Sequence, residues 1–207
     1  MKIAQKIIAS LLLFFCISLP CSALHLTEQK SHSTLHLLTD VDTIKSGDSF
    51  WVMFHVALKP GWYTYWENPG EAGLAPKLET ELPSGVKAAP LQFLPPSILH
   101  VADMVEYGYQ NDAYYLIHVQ TQKSFKQNTL NATFTFNWVV CEDVCVPQSS
   151  VLQLALPQGP HTLQSPESDL ILPKVNAWQD IPSYPVEIKT TEHQIAITDP
   201  THAKSLK

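Results

Sequence analysis

From Leu130 to Val140 the positions Leu130, Ala132, Phe134, Phe136, Trp138 and Val140 are apolar, while Asn131, Thr133, Thr135 and Asn137 between them are polar. A period of two over this length predicts a strand with one face buried and the other facing water. Ser49 to Leu58 repeats the pattern with Phe50, Val52, Phe54, Val56 and Leu58 in phase, and Lys59-Pro60-Gly61 ends it. Trp62 to Trp66 reads as a short aromatic strand running into a turn at Asn68-Pro69-Gly70. Ala113 to Gln120 is β-branched and aromatic enough for another strand, and Val151 to Leu156 pairs with the Leu130 strand. The proline-rich stretches Pro83 to Pro96 and Leu156 to Pro173 read as loops or sheet edges, because proline has no N–H for a central ladder. Ser168 to Asp180 has room for one short helix, with Pro173 as an interruption. Pro185 to Thr190 and His193 to Thr198 form a last hairpin around Thr191-Glu192. Many short strands separated by turns predict an all-β fold, an antiparallel β-sandwich at residues 30–157. The remainder, 158–207, reads as linker, helix and terminal hairpin, the start of a small second β subdomain that the chain does not complete.

The amino terminus follows a different rule. Lys2 and Lys6 precede an apolar run from Ile7 to Leu19, Pro20 breaks it, and Cys21-Ser22-Ala23 supplies small residues. That order is a secretory signal peptide, residues 1–23, with cleavage after Ala23 and export to an oxidising compartment. At about 13 residues the run is short for a membrane span, which needs ~20. Acylation of Cys21 is the alternative, but Ser18-Leu19-Pro20 is a poor lipobox. Cleavage leaves about 184 residues and removes Cys16 and Cys21, so the four cysteines of the chain reduce to Cys141 and Cys145.

Charge narrows the partners. Charged residues make up 15%, the formal net charge is −6, and all thirteen basic residues are lysine. Such a chain has no basic footprint for nucleic acid, and no arginine fork for phosphate or carboxylate.

Chemistry then concentrates on the C-x3-C unit. Along an extended strand, residues four apart lie about 13 Å from each other, beyond disulfide reach. Across a hairpin, facing Cα atoms lie about 4.5–5.5 Å apart, within reach. The pair therefore closes only if Glu142-Asp143-Val144 turns the chain, which places it at a hairpin tip beside a sheet edge. Its plainest use is a structural staple, although so short a loop gains only about 2 kcal/mol from chain entropy. A tight bridge at a tip is also where labile disulfides are found. Glu142 and Asp143 beside the sulfurs oppose thiolate formation, which favours a couple that gives electrons over one that imposes disulfides.

Three blocks make the chain resemble a known family. They are Gly61-Trp62-Tyr63-Thr64-Tyr65-Trp66-Glu67-Asn68-Pro69-Gly70 with Gly73-Leu74-Ala75-Pro76, then Val105-Glu106-Tyr107-Gly108-Tyr109, and Trp138 to Pro147 with its two cysteines. Together, over roughly Leu35 to Leu156, they resemble the amino-terminal periplasmic domain of the DsbD family of thiol:disulfide interchange proteins, in its ScsB-like branch. The resemblance implies an immunoglobulin-like sandwich whose pair, Cys141 and Cys145, takes electrons from a membrane-embedded donor on another chain. Those electrons pass to thioredoxin-fold periplasmic oxidoreductases, without a cofactor or metal. It implies Cys145 as the interchange nucleophile and Tyr63 and Tyr65 beside the sulfurs, with core packing as their alternative; Glu142 and Asp143, between the cysteines, line the site by position. It also implies a cap over the disulfide within Phe93 to Glu106, with Leu99 and Met104 as candidate covering residues.

Two features depart from the family. Its best-known domains space the cysteines C-x5-C, and full members carry a transmembrane segment and a thioredoxin-like domain that this sequence lacks, so the expectation is a free-standing carrier or a truncated product. Competing expectations are a Cu(I) module drawing on Met53, Met104, His55, His100 and His118, and a non-catalytic sandwich with a structural disulfide. Zinc finds no four-ligand pattern.

Overall fold

The computed structural model describes residues 26–180 together with the strands at 187–191 and 194–198. The signal sequence read at 1–23 lies outside the described residues. In chain order the strands are β1 (Leu26–Gln29), β2 (Ser33–Thr39), β3 (Val41–Thr43), β4 (Ser49–Leu58), β5 (Tyr63–Gly70), β6 (Lys77–Glu81), β7 (Val86–Ala88), β8 (Gln92–Phe93), β9 (Ser97–Val101), β10 (Met104–Gln110), β11 (Asp112–Thr121), β12 (Thr129–Cys141), β13 (Cys145–Pro157) and β14 (Leu163–Gln164). Helix α1 (Ser168–Gln179) follows, then β15 (Glu187–Thr191) and β16 (Gln194–Thr198).

Two antiparallel sheets face each other. One runs β1-β2-β4-β11-β7, with β8 also on β11; the other runs β13-β12-β5-β10-β9, with β6 also on β12. Strand alternation sends Phe54 of the first sheet against Phe134 and Phe136 of the second, with ring centroids 5.6 and 5.1 Å apart. Each such phenylalanine, fully buried, is worth roughly 1.5–3 kcal/mol. The sheets are also tied by a polar contact: the buried Tyr115 hydroxyl on β11 donates to the Tyr65 carbonyl on β5, 3.0 Å away. This is the all-β antiparallel sandwich that the alternation predicts, in the immunoglobulin-like form that the resemblance implies, with a cysteine-bearing hairpin.

The first sheet is covered on its outer face as well. Ile171 and Val175 of α1 pack on Leu38, Met53 and Leu116, and the Lys174 ammonium lies 4.2 Å from the Tyr114 ring centre. That cover explains why Met53 is apolar although its neighbours on β4, Val52 and Phe54, are the ones that fill the space between the sheets. The helix runs straight through Pro173, where the sequence suggests an interruption; the proline gives up one amide hydrogen bond, and the apolar seat of Ile171 and Val175 holds the turns on either side.

A second difference concerns Asn68-Pro69-Gly70, expected as a turn and found inside β5. The β10 ladder shifts register between Glu106 and Gly108, opposite this stretch, so Pro69 sits where regular pairing is already broken. The prolines of 83–96 do flank edge pieces, β7 and β8, both on β11. After β13 the chain returns to the sandwich through β14 on β3 before reaching α1, and β15 pairs antiparallel with β16.

Candidate functional site

Strands β12 and β13 pair without a slip from Thr129↔Pro157 to Cys141↔Cys145, so the two cysteines close the hairpin as its last rung. They form a disulfide, with Cα atoms 4.1 Å apart, and Glu142-Asp143-Val144 make the turn. The sulfurs are unequal in access. Cys141 is fully buried, whereas Cys145 is exposed at the sheet edge.

The burial of Cys141 follows from its neighbours. Tyr63 pairs with it across β5, and Tyr63, Tyr65, Leu99, Val139 and Cys141 form one buried cluster against which Val101 packs. The Tyr65 hydroxyl lies 3.1 Å from the Cys141 sulfur and 3.7 Å from that of Cys145. The two tyrosine rings meet edge to face, 5.6 Å apart. Leu99 reaches the cluster from β9, so the cover over the sulfurs is a β-hairpin, β9–β10. Met104, at the start of β10, is half-buried and outside that cluster.

The β9–β10 hairpin can approach β5 only because two positions lack a side chain. A Cβ on Gly108 would fall 2.1 Å from the Thr64 carbonyl oxygen, and one on Gly70 would fall 2.5 Å from that of Val105. In the unbroken β9–β10 ladder Glu106 lies opposite Leu99, on the face of the buried cluster, and it is 1% exposed with Oε2 unpartnered. Burial raises the Tyr63 phenol above its ordinary range; Tyr65 lowers it in part, and Glu106 raises it further. Tyr65 is raised strongly, by burial first, then by Tyr63 and Glu106. Both phenols therefore stay protonated and act as hydrogen-bonding groups.

Glu142 and Asp143 are both exposed on the turn. Glu142 packs over Gly61, where an added Cβ would meet its carboxyl oxygen. With Tyr63, Leu99 and Gln110 these two acids line a cleft of about 500 Å³ beside the disulfide. Among the described residues lining it, His100 is the basic one.

The sequence-expected residues Cys141, Cys145, Tyr63, Tyr65, Glu142 and Asp143 thus come together at one tip. The residues expected for copper do not gather there. Met53 lies under α1, and His55 and His118 belong to the other sheet, where His55 contacts Asp112 at 2.6 Å and the His118 ring lies against Trp51. Among the described residues no cluster of three metal-type side chains is found. Glu106 is the site residue to which the sequence assigns no role, although it stands as a lone acid in an otherwise aromatic and apolar block.

Residues 36–157 match the model of a family described as "Thiol:disulfide interchange protein DsbD, N-terminal". The chain belongs to this DsbD amino-terminal family. Among solved structures it is similar to the N-terminal periplasmic domain of ScsB from Proteus mirabilis, with a TM-score of 0.57 and 22% identity, over 81% of this chain and 62% of that one. The chain therefore spans less than two thirds of that ScsB structure. The N-terminal domain of Neisseria meningitidis DsbD in the reduced form aligns with a TM-score of 0.35 and 12% identity, over 62% of this chain and 89% of that one. No curated protein matches. Membership of the DsbD family, together with a cysteine pair at bonding distance, supports a thiol–disulfide interchange module.

Proposed function

We propose that this chain is a periplasmic electron carrier that alternates between a Cys141–Cys145 disulfide and a dithiol. The observation that carries the reading is the asymmetry of the pair, with one sulfur exposed at an edge and the other buried against a tyrosine hydroxyl. A thiolate of a donor dithiol attacks the Cys145 sulfur, and the Cys141–Cys145 bond breaks with its electron pair on Cys141. The Tyr65 hydroxyl donates a hydrogen bond to that leaving sulfur, which takes a proton. The donor's second thiolate then attacks the donor sulfur of the mixed disulfide and releases Cys145. The donor leaves oxidised, and the carrier has gained two electrons and two protons.

Delivery is the reverse. The Cys145 thiolate attacks an acceptor disulfide, and Cys141 resolves the mixed disulfide. The donor is membrane-embedded, and the acceptors are thioredoxin-fold oxidoreductases. Residues 30–157 carry this activity. Residues 1–23 direct export and are removed after Ala23, which N-terminal sequencing of the exported protein checks.

Single cysteine variants test the chemistry. Cys141→Ser leaves Cys145 free and is expected to trap a mixed disulfide by attacking the disulfide form of a thioredoxin-fold partner. Cys145→Ser leaves only a buried sulfur and is expected to trap none. Equal trapping by the two variants, or a wild-type disulfide that dithiothreitol fails to open under native conditions, would sink the reading.

A further inference from the structure

Glu106 is a buried acid that the exchange chemistry above does not use. It is 1% exposed, has an unpartnered carboxyl oxygen, and sits where the ladder between β10 and β5 changes register. Burying such a group is costly, and structures retain unsatisfied buried polar atoms where they have a use. Its pairing with Leu99 in the β9–β10 ladder puts the side chain on the same face as the buried tyrosine cluster. Its influence reaches both phenols, Tyr63 and Tyr65. Tyr65 is in turn the hydroxyl on the buried sulfur.

We propose that Glu106 is a positioning residue for disulfide exchange, acting through Tyr65 to keep Cys141 protonated so that Cys145 is the only thiolate nucleophile. The inference rests on the carrier reading. A carboxyl offers acceptor oxygens to the phenols, so it gives the line Cys141–Tyr65–Tyr63–Glu106 a direction. In the disulfide state the sulfur carries no hydrogen, and Tyr65 donates to it. In the dithiol state the Tyr65 hydroxyl turns toward Tyr63 and Glu106, and its oxygen accepts the Cys141 S–H. A thiol held as a donor in an apolar pocket resists ionisation. Exposed Cys145 has no such constraint.

The titratable groups facing the pair are Tyr63 and Tyr65 from β5, Glu106 from β10, and Glu142 and Asp143 from the turn, while His100 on β9 lines the adjoining cleft. Glu106→Gln keeps the shape but puts a donor where an acceptor stood, so Tyr65 is pushed back onto the sulfur. In the reduced protein, the pH profile of iodoacetamide labelling, resolved by peptide mass, is expected to show Cys145 reacting alone in the wild type. In Glu106→Gln, Cys141 labelling at neutral pH should rise about tenfold, and Glu106→Asp should restore the wild-type profile. In a Tyr65→Phe background the Gln substitution should change nothing further.

An unchanged profile in Glu106→Gln, or a shift that persists in the Tyr65→Phe background, overturns the proposal. A measurement on the wild type guards against a misfolded variant. The tyrosine near-ultraviolet spectrum should shift on reduction, as Tyr65 exchanges a sulfur for an oxygen acceptor, and a spectrum indifferent to redox state also overturns it. Failure of the wild type to exchange with dithiothreitol at all would instead defeat the carrier reading.

Discussion

The hydroxyl of Tyr65 contacts the sulfur of Cys141 at 3.1 Å, and the same residue's carbonyl accepts from Tyr115 across the sandwich. One residue therefore links the redox pair to the centre of the fold. Its ring is pinned by Gly73, where an added Cβ would fall 2.2 Å from the aromatic carbons.

Tyr65→Phe keeps the ring and the backbone carbonyl and removes only the donor to sulfur. A hydrogen bond to a charged group is worth roughly 1.5–3 kcal/mol, so loss of part of it at a leaving thiolate slows reduction by about tenfold or more. Stopped-flow reduction by dithiothreitol measures this, and an unchanged rate would show that the contact has no part in the chemistry. The melting temperature should change little.

Leu99→Ala opens the cover over Cys141. Truncating a buried leucine costs about 2–5 kcal/mol, and this position at the margin of the sandwich belongs at the lower end. The disulfide should be reduced several-fold faster by a small phosphine reductant, while exchange with a protein dithiol gains less because Cys145 is already exposed. Equal acceleration of both, or of neither, would show that Leu99 does not gate access.

Asp40 provides a pH test away from the site. Its Oδ1 accepts the Trp51 N–H at 2.8 Å, and burial raises its carboxyl above the ordinary value of 3.8. The folded state thus holds this proton more tightly than the unfolded chain. The associated stability is present below the unfolded value and is lost as pH rises through the folded one. Asp40→Asn retains an acceptor and removes the desolvated charge, so the variant should gain on the wild type in thermal denaturation as pH rises across the carboxylate range. A difference that is flat or falls with pH would contradict this.

Much of the site is legible in the chain because it is local. The alternation of β12 ends on Cys141, the C-x3-C spacing demands a turn, and together they fix a tip before any tertiary contact is known. Tyr63 and Tyr65 belong to a family block and lie beside that tip because β5 pairs with β12 at Val140 and Cys141. Glu106 is not legible, since what buries it is its place opposite Leu99 and beside the tyrosines of β5, which only the tertiary pairing brings together. Leu99 is legible only as one of two candidates, because which residue of a hairpin turns inward depends on its register with β10. Strand β2 is easily missed although Leu35 and Leu37 alternate with Thr34 and His36, a run too short to stand out beside β4. Pro173 misleads for a related reason: a proline penalty is local, and the seat that outweighs it is made by Leu38, Met53 and Leu116 from three other strands.

Pro147 lies opposite Val139 on the edge strand β13, in the same non-hydrogen-bonded phase as the cysteine pair, so its missing N–H falls on the open edge of the sheet. The Val139 carbonyl points the other way, to β5, and accepts from the Thr64 hydroxyl at 2.8 Å. The hairpin is therefore stitched from the side just below its tip. When the bond between the sulfurs opens they must move apart, and β13, with an open edge, has room to move while Thr64 holds β12 to β5. Compliance is confined to the exposed arm that carries Cys145, and the buried arm stays still to receive it again.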